Sequence, residues 1–246
     1  MKNKLKINIF FLIFYFLLFN TLSKSDESFV FDVTELEIIE NGNIFLGQKR
    51  GTAKTDNGII ISADNFRYNK LKNILFANGD VKIVDIIKDI TVYSENITYY
   101  KNDEIIVSNK KSRAENKEIT IDANIFKYNK LSNTIVAKGN VIIEDLLNNY
   151  HSKAEHITYY RNEERIKTKG ESFTLIKSKY NFYSSDITIL RNKKEISSVH
   201  KSKLIDEDLT QYDFDNYIYL FDKEFLKENN VNIISNNSLS EGQTDQ

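Results

Sequence analysis

The chain has no cysteine, no proline and no tryptophan, with three histidines and one methionine. Without cysteine there is no disulfide, no thiolate metal site and no thiol nucleophile. His151 and His156 are five residues apart and fall on opposite faces of a straight strand, so no shared metal is expected. Nor is there a Gly-x-Ser-x-Gly elbow, a phosphate loop or a zincin motif, so no catalytic residues and no cofactor are expected. Charge is nearly balanced, with 34 Lys and Arg against 35 Asp and Glu, which gives no global pull toward nucleic acid. The abundance of Asn, Lys and Ile resembles an AT-rich coding bias, so single residues of these types carry little weight. What remains is the composition of a folded chain of one or two domains, 41% hydrophobic.

The first residues read as a targeting segment. Lys2, Lys4 and Lys6 precede an apolar run from Ile7 to Phe19, which is short for a membrane span. A signal peptide over residues 1–25, cleaved near Ser23 or Ser25, is expected, with an uncleaved anchor as the alternative. Beyond it, Phe29, Phe31 and Val33, then Leu36, Ile38 and Ile44, alternate with polar residues. That period of two predicts strands, and Asn41-Gly42 predicts a hairpin turn between them. A second turn is expected at Asp56-Asn57-Gly58.

From Ile60 the chain repeats. IISADNFRYNKLKNILFANGDVKIVD returns sixty residues later as TIDANIFKYNKLSNTIVAKGNVIIED, and about 22 of the 53 positions from Ile60 to Ser112 are identical at this offset. Each unit divides again, so that ADNFRYNK, SENITYYK, ANIFKYNK, AEHITYYR and SSDITILR align from Ala63, Ser94, Ala123, Ala154 and Ser184. A half-repeat of about thirty residues cannot bury its apolar face alone, so neighbours must stack. Ala63 and Phe66 have opposite parity, so a bulge between them is needed if both face inward. Gly79 and Gly139 interrupt strands at the same repeat position, which also predicts a bulge or close approach. The Asn-rich turns favour an antiparallel β-jelly roll over a parallel β-helix, with a long apolar trough inside. The roll is expected over residues 26–195, where the pattern decays, followed by a partly ordered extension over 196–246 containing a helical turn around Lys223 to Lys227.

These lines resemble the OstA-like lipopolysaccharide-transport family, which includes the periplasmic proteins LptA and LptC and the N-terminal domain of LptD. The Ala-x-Gly-x-Val element stands at Ala77/Gly79/Val81 and at Ala137/Gly139/Val141; the Ala-Asp element is intact at Ala63-Asp64 and altered at Ala123-Asn124 and Ala154-Glu155. The opening from Phe29 to Thr55 looks most like the LptD form, without that protein's C-terminal membrane barrel. The resemblance implies a periplasmic, non-enzymatic module, associated with the outer membrane. It implies that lipid A acyl chains are shielded in an apolar groove, and that similar transport proteins are joined by β-strand edge pairing. The groove residues it implies are Ile61, Phe66, Tyr68, Phe76, Val81, Ile83, Ile97, Tyr99, Phe126, Tyr128, Val136, Val141, Ile143, Ile157 and Tyr159.

Plainer readings stand beside these. Inward aromatics are ordinary core. The tandem Tyr99-Tyr100 and Tyr159-Tyr160 suit a strand better than a base-stacking platform. Asp85, Glu95, Asp145 and Glu155 recur with the repeat, which fits turns and edges. The basic run of Arg161, Arg165, Lys167, Lys169, Lys177 and Lys179, continued by Arg191, Lys193 and Lys194, could meet lipid phosphates or be a solvated face paired with Asp206, Glu207, Asp208, Asp213 and Asp215. The competing functions are a structural or adhesive roll that makes only protein contacts, and a polysaccharide-active enzyme. The second is disfavoured because an active site should break the repeat at a specific place.

Overall fold

The computed structural model describes residues 28–234. The expected signal segment lies outside them. A hairpin of β1 (Val30–Ile39) and β2 (Ile44–Lys54) opens the chain, followed by β3 (Ile59–Ala63), β4 (Asn65–Asn69), β5 (Ile74–Asp85) and β6 (Ile90–Tyr100). Next come β7 (Ile105–Ser108), β8 (Ser112–Glu115), β9 (Ile119–Ala123) and β10 (Ile125–Asn129), then the long β11 (Thr134–Asp145), β12 (Tyr150–Tyr160) and β13 (Arg165–Ile176). The last strands are β14 (Tyr180–Ser185), β15 (Thr188–Leu190), β16 (Glu195–Ser198), β17 (Ser202–Ile205), β18 (Gln211–Phe214), β19 (Asn216–Leu220), β20 (Phe225–Asn229) and β21 (Asn232–Ile234).

Every pairing is antiparallel, and each pass of the chain crosses two half-sheets joined at a bend. In sheet I, β4 pairs with Ile74–Asn78 of β5; in sheet II, β3 pairs with Lys82–Asp85 of the same strand. The bend is where the Ala-Asp and Ala-x-Gly-x-Val elements of the repeat meet. Gly79, at φ +80°, accepts a hydrogen bond from the Asp64 amide at 2.9 Å, and Gly139, at φ +76°, accepts one from Asn124 at 3.0 Å. A Cβ on Gly79 would lie 2.7 Å from the Asp64 Cβ, so that position needs glycine for space as well as for φ. The register of β5 against β6 shifts between Asn78 and Val81, and that of β11 against β12 shifts between Lys138 and Val141. The irregularities expected at Gly79 and Gly139 are therefore there, and between Ala63 and Phe66 the strand is interrupted at Asp64, so that both residues face inward.

The two half-sheets face each other over one core. Ile61, Val81, Ile83, Val92, Ile121, Val141 and Ile143 from sheet II meet Phe66, Leu75, Ile97, Tyr99, Phe126, Ile135, Ile157 and Tyr159 from sheet I. The result is an antiparallel β-roll, as the pattern predicted.

Three expectations change. The ladder does not stop near residue 195: β16 begins at Glu195 and pairs with β15 and β19, and β17 to β21 extend both half-sheets. No helical turn forms at Lys223 to Lys227; a tight turn with Glu224 at φ +47° leads into β20. The interior is filled rather than an open trough, since its lining side chains are buried against one another.

Candidate functional site

Of the fifteen residues expected to line the interior, thirteen are buried within the core cluster. Phe76 and Val136 are not: Phe76 is 40% exposed and Val136 half-buried, both on the outer face. Strand alternation explains it, because Leu75 and Ala77 point inward around Phe76, as Ile135 and Ala137 do around Val136. Tyr99 and Tyr159 point inward while Tyr100 is outward, so the tandem tyrosines are the two faces of a strand.

Rings gather at the two ends of the interior. At the first layers Phe29 packs edge-on against Tyr68 at 4.9 Å and Tyr99 at 5.7 Å, and the half-buried Phe31 and Phe45 stack at 6.1 Å. At the last layers Phe182 lies 5.1 Å from both Tyr217 and Tyr219. Burial raises the hydroxyl pKa of Tyr99, Tyr128, Tyr159 and Tyr217 above the ordinary phenolic value, and the neutral hydroxyls of Tyr99, Tyr128 and Tyr159 donate to Glu104, Asp85 and Glu164.

Opposite the bend, the turns of the two half-sheets meet along a lip, and the contacts that close it are polar. Each pass through sheet I ends on its inward tyrosine or isoleucine and then, two residues on, a residue that starts the turn: Lys70, Lys101, Lys130, Arg161, Arg191 and finally Phe221. Lys130 Nζ donates to Asp85 Oδ2 at 2.9 Å and to the Asn57 carbonyl at 2.8 Å, and the Tyr128 hydroxyl donates to the same carboxylate at 2.9 Å. Arg161 donates to the Lys88 and Asp89 carbonyls at 2.8 and 2.9 Å. Arg191 donates from Nε to Asp145 Oδ2 at 2.5 Å, from Nη1 to Glu164 and to the Tyr159 hydroxyl, and from Nη2 to Glu118 at 3.1 Å. The Arg191 side chain is 2% exposed and that of Asp145 0%. Burial opposes the Arg191 charge, but its hydrogen bond to Asp145 and the surrounding negative groups outweigh that and hold its pKa above the ordinary value. At the last rung Phe221 packs on Tyr150 at 5.9 Å instead.

The basic run is thus split by the fold. Arg161 and Arg191 are lip residues, whereas Lys177 pairs with Glu224 at 2.9 Å and Lys179 with Glu207 at 3.0 Å on the surface. Asp85 and Asp145 do serve turns, accepting from Lys88 N at 3.0 Å and Asn148 N at 2.9 Å, but they are buried. Glu95 and Glu155 are exposed at the bend.

Fold and lip together define an antiparallel β-roll with an apolar interior and a polar closing seam. No family model matches the chain, and no curated protein matches it. Among solved structures it is similar to LptH of Pseudomonas aeruginosa, described as the LptA-homologous periplasmic component of the conserved lipopolysaccharide transport device. The identity is 12% and the TM-score 0.42, over 45% of this chain and 82% of that one.

Proposed function

We propose that the chain is a non-enzymatic, exported module of lipopolysaccharide transport that receives acyl chains between its two half-sheets. The observation that carries this reading is an apolar interior continuous across every layer and closed along most of one side by side-chain ion pairs and hydrogen bonds. An amphiphile with several acyl chains needs such a surface, at about 0.8 kcal/mol for each methylene buried. The sequence motifs support the same reading, since the Ala-Asp and Ala-x-Gly-x-Val elements build the two sides of the bend. The opening hairpin suggests the LptD-type N-terminal domain in particular. Edge pairing with similar domains would use β1, which pairs only with β2 among the described residues, and β20 with β21 at the other end.

A second reading, a roll that makes only protein contacts, draws on the same interior: its side chains are packed as an ordinary core. Photocrosslinking in a Gram-negative envelope separates the two. A benzophenone side chain at Phe31, Phe45 or Phe66 should give lipopolysaccharide adducts, and one at the outward Tyr100 should not. Protein adducts alone, from a folded and exported chain, would reject the transport reading in favour of the structural one.

A further inference from the structure

One groove of the described residues lies on the outside of the roll. With a volume of 1110 Å³, it runs across the outer face of sheet II, over β11, β12, β13, β14, β17 and β18, to Asn230 and Asn232. Its floor is a row of cross-strand neighbours: Ile142 faces Lys153, Lys153 faces Phe173, Phe173 faces Tyr183, Tyr183 faces Lys203, and Lys203 faces Asp213. Five strand spacings give it a length of about 24 Å.

The same row exists one repeat earlier, and there it carries Lys82, Tyr93, Arg113 and Asp122. In that row Arg113 and Asp122 form a forked ion pair, Nε to Oδ1 at 3.1 Å and Nη2 to Oδ2 at 2.8 Å. In the later row the two positions hold Phe173 and Tyr183, whose rings lie 5.2 Å apart, with Tyr183 44% exposed. The sixty-residue sequence repeat has lapsed by this point, but the strand pairing continues, and where the earlier row sets a surface ion pair the later one sets a ring pair at the place where the groove forms. Folding gains little from that exchange, because the outer face is solvated in either case.

The chemistry around the rings narrows the ligand. Lys153, Lys201 and Lys203 are set against Glu155, Glu171, Asp213 and Asp215, so the rim favours neither a polyanion nor a polycation. Its charged, hydroxyl and amide groups do not suit a bare acyl chain. A pyranose chain matches: the apolar face of a sugar ring stacks on an aromatic ring, and its equatorial hydroxyls donate to carboxylates and accept from lysine and asparagine. We propose that this groove binds an oligosaccharide, either the sugar headgroup of a glycolipid or a free glycan strand. The proposal does not rest on what the interior carries.

The test is calorimetric titration of the folded chain with two probes that lack acyl chains, the deacylated core oligosaccharide of lipopolysaccharide and maltohexaose. Saturable binding is expected, weakened about tenfold by Phe173→Ala or Tyr183→Ala and unchanged by Tyr93→Ala in the earlier row. Binding of the core oligosaccharide alone assigns a glycolipid headgroup, and binding of both assigns glycans more generally. Should a ring variant fail to fold, Asp213→Asn and Lys203→Met, which keep both rings, must still weaken binding. No binding of either probe, or equal binding by wild type and ring variants, would overturn the proposal while leaving lipid adducts in the interior unaffected.

Discussion

Replacing Arg191 by methionine tests the lip most directly. The substitution keeps an unbranched apolar stem but removes the donors that Asp145, Glu164, Glu118 and the Tyr159 hydroxyl share. Asp145 is then a carboxylate with 0% side-chain exposure facing no cation, although it keeps the Asn148 amide. An uncompensated buried charge of this kind costs about 3–5 kcal/mol. A surface pair such as Lys179 with Glu207 contributes about 0–1 kcal/mol, so Lys179→Met is the matched control. For a chain of this size the Arg191→Met loss should lower the melting temperature on the order of 10 °C. Arg191→Lys, which reaches one carboxylate but cannot fork to several, should fall between the two. Urea and thermal unfolding followed by circular dichroism measure all three. If Arg191→Met lies within about 1 kcal/mol of wild type, the site is hydrated in solution and the lip is not the buried seam described above.

The bend makes a graded prediction. Alanine at Gly79, Gly139 or Gly170 should cost about 1–2 kcal/mol for the left-handed backbone alone, with Gly79→Ala worst because its Cβ meets Asp64, and Gly170→Ala mildest because nothing lies within 4 Å. Equal losses at all three in denaturant titrations would show that crowding at the bend is unimportant. Inward and outward neighbours should also differ: Leu75→Ala should cost about 2–5 kcal/mol and Phe76→Ala less than about 1 kcal/mol, and a reversed order would mean the strand register is wrong. His156 stands between Lys138 and Lys169 on neighbouring strands, and its pKa is lowered by burial first and by those two charges second. Its folded pKa lies below its unfolded one, so the folded state is penalised as pH falls through the unfolded pKa near 6.5, and the penalty is complete below the folded pKa. An NMR titration should put the His156 midpoint below 6.5, and Lys169→Gln should move it back up.

Much of the roll was legible because one face of each strand is buried and the other wet, which writes a period of two into the chain. The frame blurred where both neighbours are apolar. Leu75 and Phe76, like Ile135 and Val136, offer two registers, and the inward alanines Ala77 and Ala137 decide between them. The last passes were missed because their inward positions include Ser198 and Ser202, which hide the alternation, although Ile196, Leu204, Phe214, Tyr217 and Tyr219 continue it. The lip was written in the repeat but unread. All five aligned lines end in Lys or Arg, at Lys70, Lys101, Lys130, Arg161 and Arg191, and an invariant cation after an inward tyrosine or isoleucine is more than a solvated face requires. What no local pattern could supply is the partner. Lys130 meets Asp85 across 45 residues and Arg191 meets Asp145 across 46, about one and a half half-repeats, because the two half-sheets are offset where they close.

That offset bears on how the interior could admit a ligand. Removing one member of a buried ion pair is costly, but parting the two members into water is not, since each regains the hydration it lost on burial. A lip held by Lys130 with Asp85 and Arg191 with Asp145 is therefore sensitive to single substitutions yet inexpensive to open, whereas an apolar lip such as Phe221 on Tyr150 loses its burial when it parts. If the interior receives acyl chains, entry should occur along the ionic stretch. Neutralising both partners with Arg191→Met and Asp145→Asn removes the unpaired charge of the single variant and should restore most of its stability. The same double variant should take up lipopolysaccharide more slowly than wild type, because its seam no longer gains hydration on parting. Uptake at the wild-type rate by a stable double variant would exclude the lip as the entrance and leave the two ends of the roll as the remaining routes.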